Sequence, residues 1–154
     1  MTIELHNVTI GSLIKGLSLT IGDGQMACIA GERGSGKTTL IRAVMGFIPV
    51  DSGHICVDGE LLTPQSAPFF RRHIAYVPQQ LSLPDGYHEI QTDYLWLLQR
   101  AVDTNKPLLI VDEPPTMPDF DKGREIDHLL RLAVQQGKTV LAVNNRINEN
   151  LIRL

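Results

Sequence analysis

The residues Gly31-Glu32-Arg33-Gly34-Ser35-Gly36-Lys37-Thr38 restrict this chain more than any other feature, because they fit the pattern Gly-x-x-x-x-Gly-Lys-Thr. The apolar run "MACIA" (26–30) before them has the length and composition of a buried strand, and "KTTLIRAVMG" (37–46) after them reads as a helix. A glycine-rich turn between the two lets successive backbone N–H groups point inward without Cβ obstruction, and the helix presents its positive end to the same place. That is an anion cradle. Lys37 is placed to reach β- and γ-phosphate oxygens and the Thr38 hydroxyl to ligate Mg²⁺. The candidate phosphate-binding set is therefore Gly31, Glu32, Arg33, Gly34, Ser35, Gly36, Lys37, Thr38 and Thr39. The competing reading is an accidental glycine-rich turn. With glycine at about 7% of average usage, the pattern arises by chance in roughly one chain in a few hundred, and the flanking strand and helix make accident rarer.

The rest of the chain alternates in a way that suits such a loop. "TIELHNVTI" (2–10), "LIKGLSLTI" (13–21) and "HICVDGELL" (54–62) carry period-two or β-rich patterns between Gly-Ser, Gly-Asp-Gly and Asp-Gly turns, which predicts an antiparallel portion. "MACIA", "HIAYVP" (73–78), "PLLIVDEP" (107–114) and "TVLAV" (139–143) are short and apolar throughout, as strands buried on both faces of a parallel sheet are. Helices are expected over Lys37–Gly46, roughly Glu89–Val102, and Gly123–Gln136 with Gly137 as the stop. The fold class is α/β: a P-loop NTPase parallel sheet flanked by helices, with an N-terminal antiparallel β portion. There is no internal repeat or linker, so 1–154 reads as a single domain.

Composition narrows the partners. The net charge of −3 supplies no basic field for nucleic acid. The compact basic group Arg71, Arg72 and His73 reads as a solvated lead-in to a strand. Cys28 and Cys56 read as reduced core thiols, and none of the five histidines is taken to have a second histidine or a cysteine at metal-ligand spacing, which argues against zinc. No apolar run approaches the ~20 residues of a membrane helix, and the N-terminus lacks a basic region followed by an apolar one. The expectation is a cytoplasmic protein without direct membrane insertion. Ile90, Tyr94, Leu97, Leu98 and Ala101 recur at helical spacing and, with Trp96, are expected to pack a helix onto the sheet; His128 is expected to be exposed.

The second chemical element is "PLLIVDEPP" (107–115). Leu108 to Val111 suit a strand beside the phosphate-loop strand, with the carboxylates at its C-terminal end, where open α/β sheets bind ligands. Asp112 is then placed to hold Mg²⁺ through water, and Glu113 to orient or deprotonate an attacking water. An Asp-Glu pair after a strand is, taken alone, an ordinary solvated pair; beside a phosphate loop it reads as functional.

With both elements in hand, the chain resembles the ABC-type ATPases, the nucleotide-binding subunits of ATP-binding cassette transporters. "GERGSGKTTL" is similar to that family's Walker A, "IAYVPQQ" to its Q-loop with Gln79 as the glutamine, and "LLIVDEP" to its Walker B. Asp119 falls on the D-loop aspartate, and "LIKGLSLTI" and "DSGHICVDGE" follow the N-terminal β portion. The resemblance implies ATP and Mg²⁺ as ligands, Glu113 and Gln79 as catalytic residues, and Thr38, Gln79 and Asp112 around the metal. It also implies location at the inner face of the membrane through a permease. Small-molecule kinases with a phosphate loop lack the Gln79 strand and the D-loop and are the distant alternative.

The departures matter as much. The family carries a helical subdomain between Q-loop and Walker B, ending in the signature LSGGQ, which binds the γ-phosphate of the ATP held by the partner subunit. Here Gln79 and Asp112 are 33 positions apart, so most of that subdomain is expected to be deleted between 80 and 100. Aligning backwards from Arg100-Ala101-Val102 puts "HEIQT" (88–92) at the signature position, without glycine and with Glu89 where a phosphate would sit. The switch histidine position falls on Asn145, the adenine-stacking aromatic is missing from the shortened Gly11-Ser12 turn, and the chain stops before the family's last strands and helices. Two readings follow. In one, the chain is a weakly hydrolysing ATPase subunit paired with a complete ABC ATPase and a membrane permease; in the other, it is a nucleotide-dependent regulatory or interaction module that no longer drives transport.

Overall fold

The computed structural model describes residues 1–32, 34–78, 94–112, 120–143 and 151–154. Two sheets form. The antiparallel one has the order β2-β1-β4-β5, from β1 (Ile3–Ile10), β2 (Ile14–Ile21), β4 (Ser52–Val57) and β5 (Glu60–Leu61). The parallel one has the order β6-β7-β8-β3-β9, from β3 (Met26–Ala30), β6 (Ile74–Val77), β7 (Leu108–Asp112), β8 (Thr139–Val143) and β9 (Leu151–Arg153). The helices are α1 (Lys37–Val44), α2 (Ala67–Arg71), α3 (Tyr94–Val102) and α4 (Phe120–Gln135). No helix among the described residues is long and apolar enough to cross a membrane.

The central parallel strands β3, β7 and β8 are apolar except at Asp112 and Thr139 because both faces are covered. Ala27, Ile29, Leu108, Ile110, Leu141 and Val143 pack with α1 and the inner face of the antiparallel sheet. Cys28, Leu109, Val111, Val140 and Ala142 face the other way, onto Leu98, Ala101 and Val102 of α3 and Ile126, Leu130 and Ala133 of α4. The antiparallel strands alternate instead, having one covered face. In β1 the inward residues change from Ile3 and Leu5 to Val8 and Ile10, because a bulge at Asn7 (φ 48°) inserts one residue against its partners.

Several expectations are corrected. β7 is not beside β3: β8 lies between them, paired to both. Both strands are equally apolar, so nothing in their composition orders them. α4 begins at Phe120 rather than Gly123, and the buried Gly123 is accommodated in its first turn. The expected first turn of α3, from Glu89, lies outside the described residues. α2 and β9 are not foretold, being five and three residues long, too short for a period to show. Arg71 is no solvated lead-in: it closes α2, donates from Nη1 to the Met45 carbonyl at 3.1 Å, and stands 4.6 Å over the Phe47 ring. Trp96 is 51% exposed under Arg100 instead of packing on the sheet. Cys56 is half-buried on the outer face of β4 and lies with His6 and His54, a grouping the sequence reading does not anticipate.

Candidate functional site

Parallel strands deliver their loops to one edge. Val77 pairs with Val111, Asp112 with Val143, and Val143 with Ile29, so the carboxyl ends of β6, β7, β8 and β3 form one row. β3 leaves the sheet into Gly31 at this edge, the ligand-binding edge of open α/β sheets.

The phosphate loop leaves β3 and enters α1 there. Gly36 caps α1 at φ 102° without a side-chain hydrogen bond, a conformation that favours glycine, and it presses on the start of β2. A Cβ at Gly36 would stand 3.1 Å from Leu13 Cβ and 3.2 Å from Ile14 Cγ1. Among the described residues, the first-turn N–H groups of α1 thus have neither intrahelical nor cap side-chain acceptors. At the other end of the loop, a Cβ on Gly31 would come within 2.5 Å of Ser35 Oγ and 3.1 Å of the Leu154 carbonyl, so only glycine leaves this interior open. The Ser35 hydroxyl is buried and has no hydrogen-bond partner among the described residues, while its N–H donates to the Glu32 carbonyl at 3.1 Å. Lys37 Nζ donates to the carbonyls of Gly31 and, at 3.2 Å, Glu32, which holds the ammonium across the loop. Thr38 is exposed and Thr39 half-buried on the same helical turn.

Asp112 ends β7 and is buried. Burial pushes its carboxyl above the usual carboxylate range, against the opposing pull of the Lys37 ammonium. The same field reaches Tyr76 on β6. Its hydroxyl is pushed up by burial and then by the Asp112 charge, with Arg42 of α1 acting in the opposite sense. Lys37 and Asp112 are thus brought into one electrostatic environment although they start from elements two strands apart. The orphaned hydroxyl, the ammonium and the first-turn N–H groups suit a polyphosphate; the Thr38 hydroxyl and the Asp112 carboxylate are the hard oxygen donors that suit Mg²⁺. Arg33, Gln79, Glu113, Asp119, Asn144, Asn145 and "HEIQT" lie outside the described residues.

Two side chains were not anticipated as part of this edge. Tyr94, expected only to pack, donates its hydroxyl to the Asp112 backbone carbonyl at 3.0 Å and ties α3 to the end of β7. Leu13, in the turn between β1 and β2, is 52% exposed beside Gly36. The exposed position of a Leu next to the glycine loop is legible only once β2 is known to abut it.

Comparison with known proteins gives a consistent family. The sequence profile described as "ABC transporter" matches residues 14–96. An uncharacterized ABC transporter ATP-binding protein of Haemophilus influenzae is 35% identical over 197 aligned residues, spanning 94% of this chain and 75% of that protein. The sulfate/thiosulfate import ATP-binding protein CysA of Methylococcus capsulatus is 39% identical over 87 residues, 54% of this chain and 24% of that protein. Against CysA and an ATP-dependent lipid A-core flippase of Syntrophus aciditrophicus, the chain spans 24% and 33% of the relative's length. Among solved structures, a dimeric post-hydrolysis ATP-binding cassette bound to ADP and phosphate has a TM-score of 0.77 at 22% identity, over 99% of this chain and 94% of that one. That likeness establishes the fold.

Proposed function

The chain belongs to the ABC transporter ATP-binding family, and on that premise we propose that it binds Mg²⁺·ATP at the carboxyl edge of its parallel sheet and hydrolyses it slowly when alone. The observation that carries this is the meeting of the Lys37 ammonium and the open first turn of α1 with the buried Asp112 carboxyl. In this reading the Gly31–Thr39 loop wraps the phosphates, Lys37 exchanges the loop carbonyls for phosphate oxygens, and Thr38, Asp112 and Gln79 surround the metal. Bound Mg²⁺ would neutralise phosphate charge. Glu113 orients the attacking water. Leu13 offers the base an aliphatic surface in place of an aromatic one, so GTP should compete with ATP within about tenfold, or ~1.4 kcal/mol.

Slow turnover follows from the missing signature. The alignment to the Haemophilus protein occupies 197 positions against 154 residues here, and the family profile stops at residue 96. Both support a chain that lacks most of the helical subdomain between 80 and 100. Loss of preorganised donors to developing charge costs ~2.7–4 kcal/mol, or roughly 10²–10³ in rate. A complete ABC ATPase supplying its own signature would restore it, and a permease would then hold the pair at the inner face of the membrane. The same deletion removes one wall of the permease groove, which favours as second reading a nucleotide-dependent regulatory module that no longer drives transport.

Calorimetry with ATP and ADP on wild type and Lys37→Ala tests binding: the variant should lose it, and equal affinities would refute the site. Steady-state phosphate release from wild type and Glu113→Gln tests turnover. Release near background alone, stimulated by a complete ABC ATPase and abolished by Glu113→Gln, supports the subunit reading. No stimulation supports the module, and turnover of about 1 s⁻¹ or more by the isolated chain would show that another segment replaces the signature.

A further inference from the structure

The outer face of the antiparallel sheet carries a second constellation of chemically active groups. Strand alternation buries Ile3 and Leu5 of β1 and Ile55 and Val57 of β4 in the core, so Glu4, His6, His54 and Cys56 share the opposite face. The ladder sets Glu4 opposite Cys56 and His6 opposite His54. Four side chains therefore occupy the corners of a rectangle of about 5 by 7 Å. The two imidazoles stack with centroids 4.6 Å apart and 23° between their planes. His6 Nε2 lies 3.1 Å from Glu4 Oε2, and one ligand atom from each of His6, His54 and Cys56 lies within 4.8 Å of the others. His54 is exposed and Cys56 half-buried, so solvent reaches the group without opening the core.

We propose that His6, His54 and Cys56 bind a borderline-soft divalent transition ion, Zn²⁺ first, across the β1–β4 ladder. Two imidazoles and a thiolate select this class over Mg²⁺ and Ca²⁺, which require oxygen ligands. Zinc bonds of about 2.0–2.3 Å put ligand atoms about 3.3–3.8 Å apart. The present spacing must contract by about 1 Å, within reach of side-chain rotation on an open face. Cys56 binds as thiolate and releases its proton to solvent, the imidazoles bind neutral, and water fills the fourth position; affinity therefore falls as pH falls. Glu4 accepts a hydrogen bond from His6 and orients that ring, a positioning role outside the ligand set. The ion sits on a different sheet from the phosphate loop, so the two sites bind independently.

The test uses the reduced, chelator-treated full chain, titrated with Zn²⁺ in a calorimeter and with Co²⁺ in a spectrophotometer. One ion per chain is expected, with the visible bands of four-coordinate cobalt and a thiolate-to-cobalt charge-transfer band. Cys56→Ser should remove that band, and Cys56→Ser, His6→Ala and His54→Ala should each weaken Zn²⁺ about 100-fold or more, against about 10-fold for Glu4→Gln. Lys37→Ala should leave Zn²⁺ affinity unchanged. His54 is exposed, so its substitution keeps the fold and reads the site alone. A cobalt complex without the thiolate band, or Zn²⁺ affinities of Cys56→Ser and His54→Ala within about threefold of wild type, overturns the proposal.

Discussion

Gly36→Ala perturbs the junction where the phosphate loop leans on the β1–β2 turn, and its cost can be worked from geometry. At φ 102° a residue with a Cβ is in the left-handed half of conformational space, which costs ~1–2 kcal/mol. The added methyl would also meet Leu13 Cβ at 3.1 Å and Ile14 Cγ1 at 3.2 Å. Ile14 is 2% exposed and locked in the core cluster, so it can yield only by moving core neighbours; overpacking of this kind adds ~1–3 kcal/mol. Alanine lowers unfolded-chain entropy, which returns ~0.4–1 kcal/mol. The net is ~1–5 kcal/mol, with a central value of ~3 kcal/mol that lowers Tm by about 6–12 °C at this chain length. Gly34→Ala is the control: its φ of 82° carries the same backbone strain, but none of the described residues lies within 4 Å of the new Cβ, so its Tm should fall by no more than about 5 °C. Thermal unfolding followed by circular dichroism, with urea midpoints as a check, reads both. If Gly36→Ala melts no lower than Gly34→Ala, the contact with Leu13 and Ile14 is not what fixes glycine there.

Asp112→Asn should stabilise the protein at pH 7, because the folded state raises the Asp112 pKa above its ordinary 3.8. A carboxyl that binds its proton more tightly when folded loses stability as pH rises from 3.8 through the raised value, and below 3.8 the difference between wild type and variant should vanish; urea unfolding across pH 3–8 checks the sign. Arg71→Ala should cost ~1–2 kcal/mol through the lost Met45 carbonyl bond and Phe47 contact, with Arg71→Lys recovering part of it. Unchanged urea midpoints would return Arg71 to a solvated surface role.

What could be read in the sequence was whatever one segment specifies by itself. Apolar runs of four or five residues at 26–30, 108–111 and 140–143 announce strands covered on both faces, and the three strands that hold them, β3, β7 and β8, are fully buried. The order of those strands depends on which crossover returns where, and equally apolar strands do not encode it; β8 took the place expected of β7. The place of Trp96 follows from the helical period. Tyr94, Leu98, Ala101 and Val102 recur every three to four residues along one stripe, and position 96 lies about 200° from Tyr94 on the helix, hence outside. His6 joins His54 and Cys56 only through a cross-strand register displaced from a simple hairpin, since β4 pairs with β1 across the intervening β2, β3 and α1.

The strand order bears on how Asp112 works. Neighbouring strands stand about 4.8 Å apart, so with β8 between them the end of β7 lies about 10 Å of backbone from the end of β3. An aspartate is a short side chain, and in direct contact with the loop it would have to span that gap alone. In the proposed site, a metal ion with its own waters, if held by Thr38 and approached by Asp112, would bridge that distance with oxygen ligands. Under the proposed function, Asp112 would then act through metal-bound water. That role also gives a physical reason for its burial: a carboxyl kept from bulk water answers strongly to the charge of Lys37 and of whatever cation joins it, and weakly to the solvent.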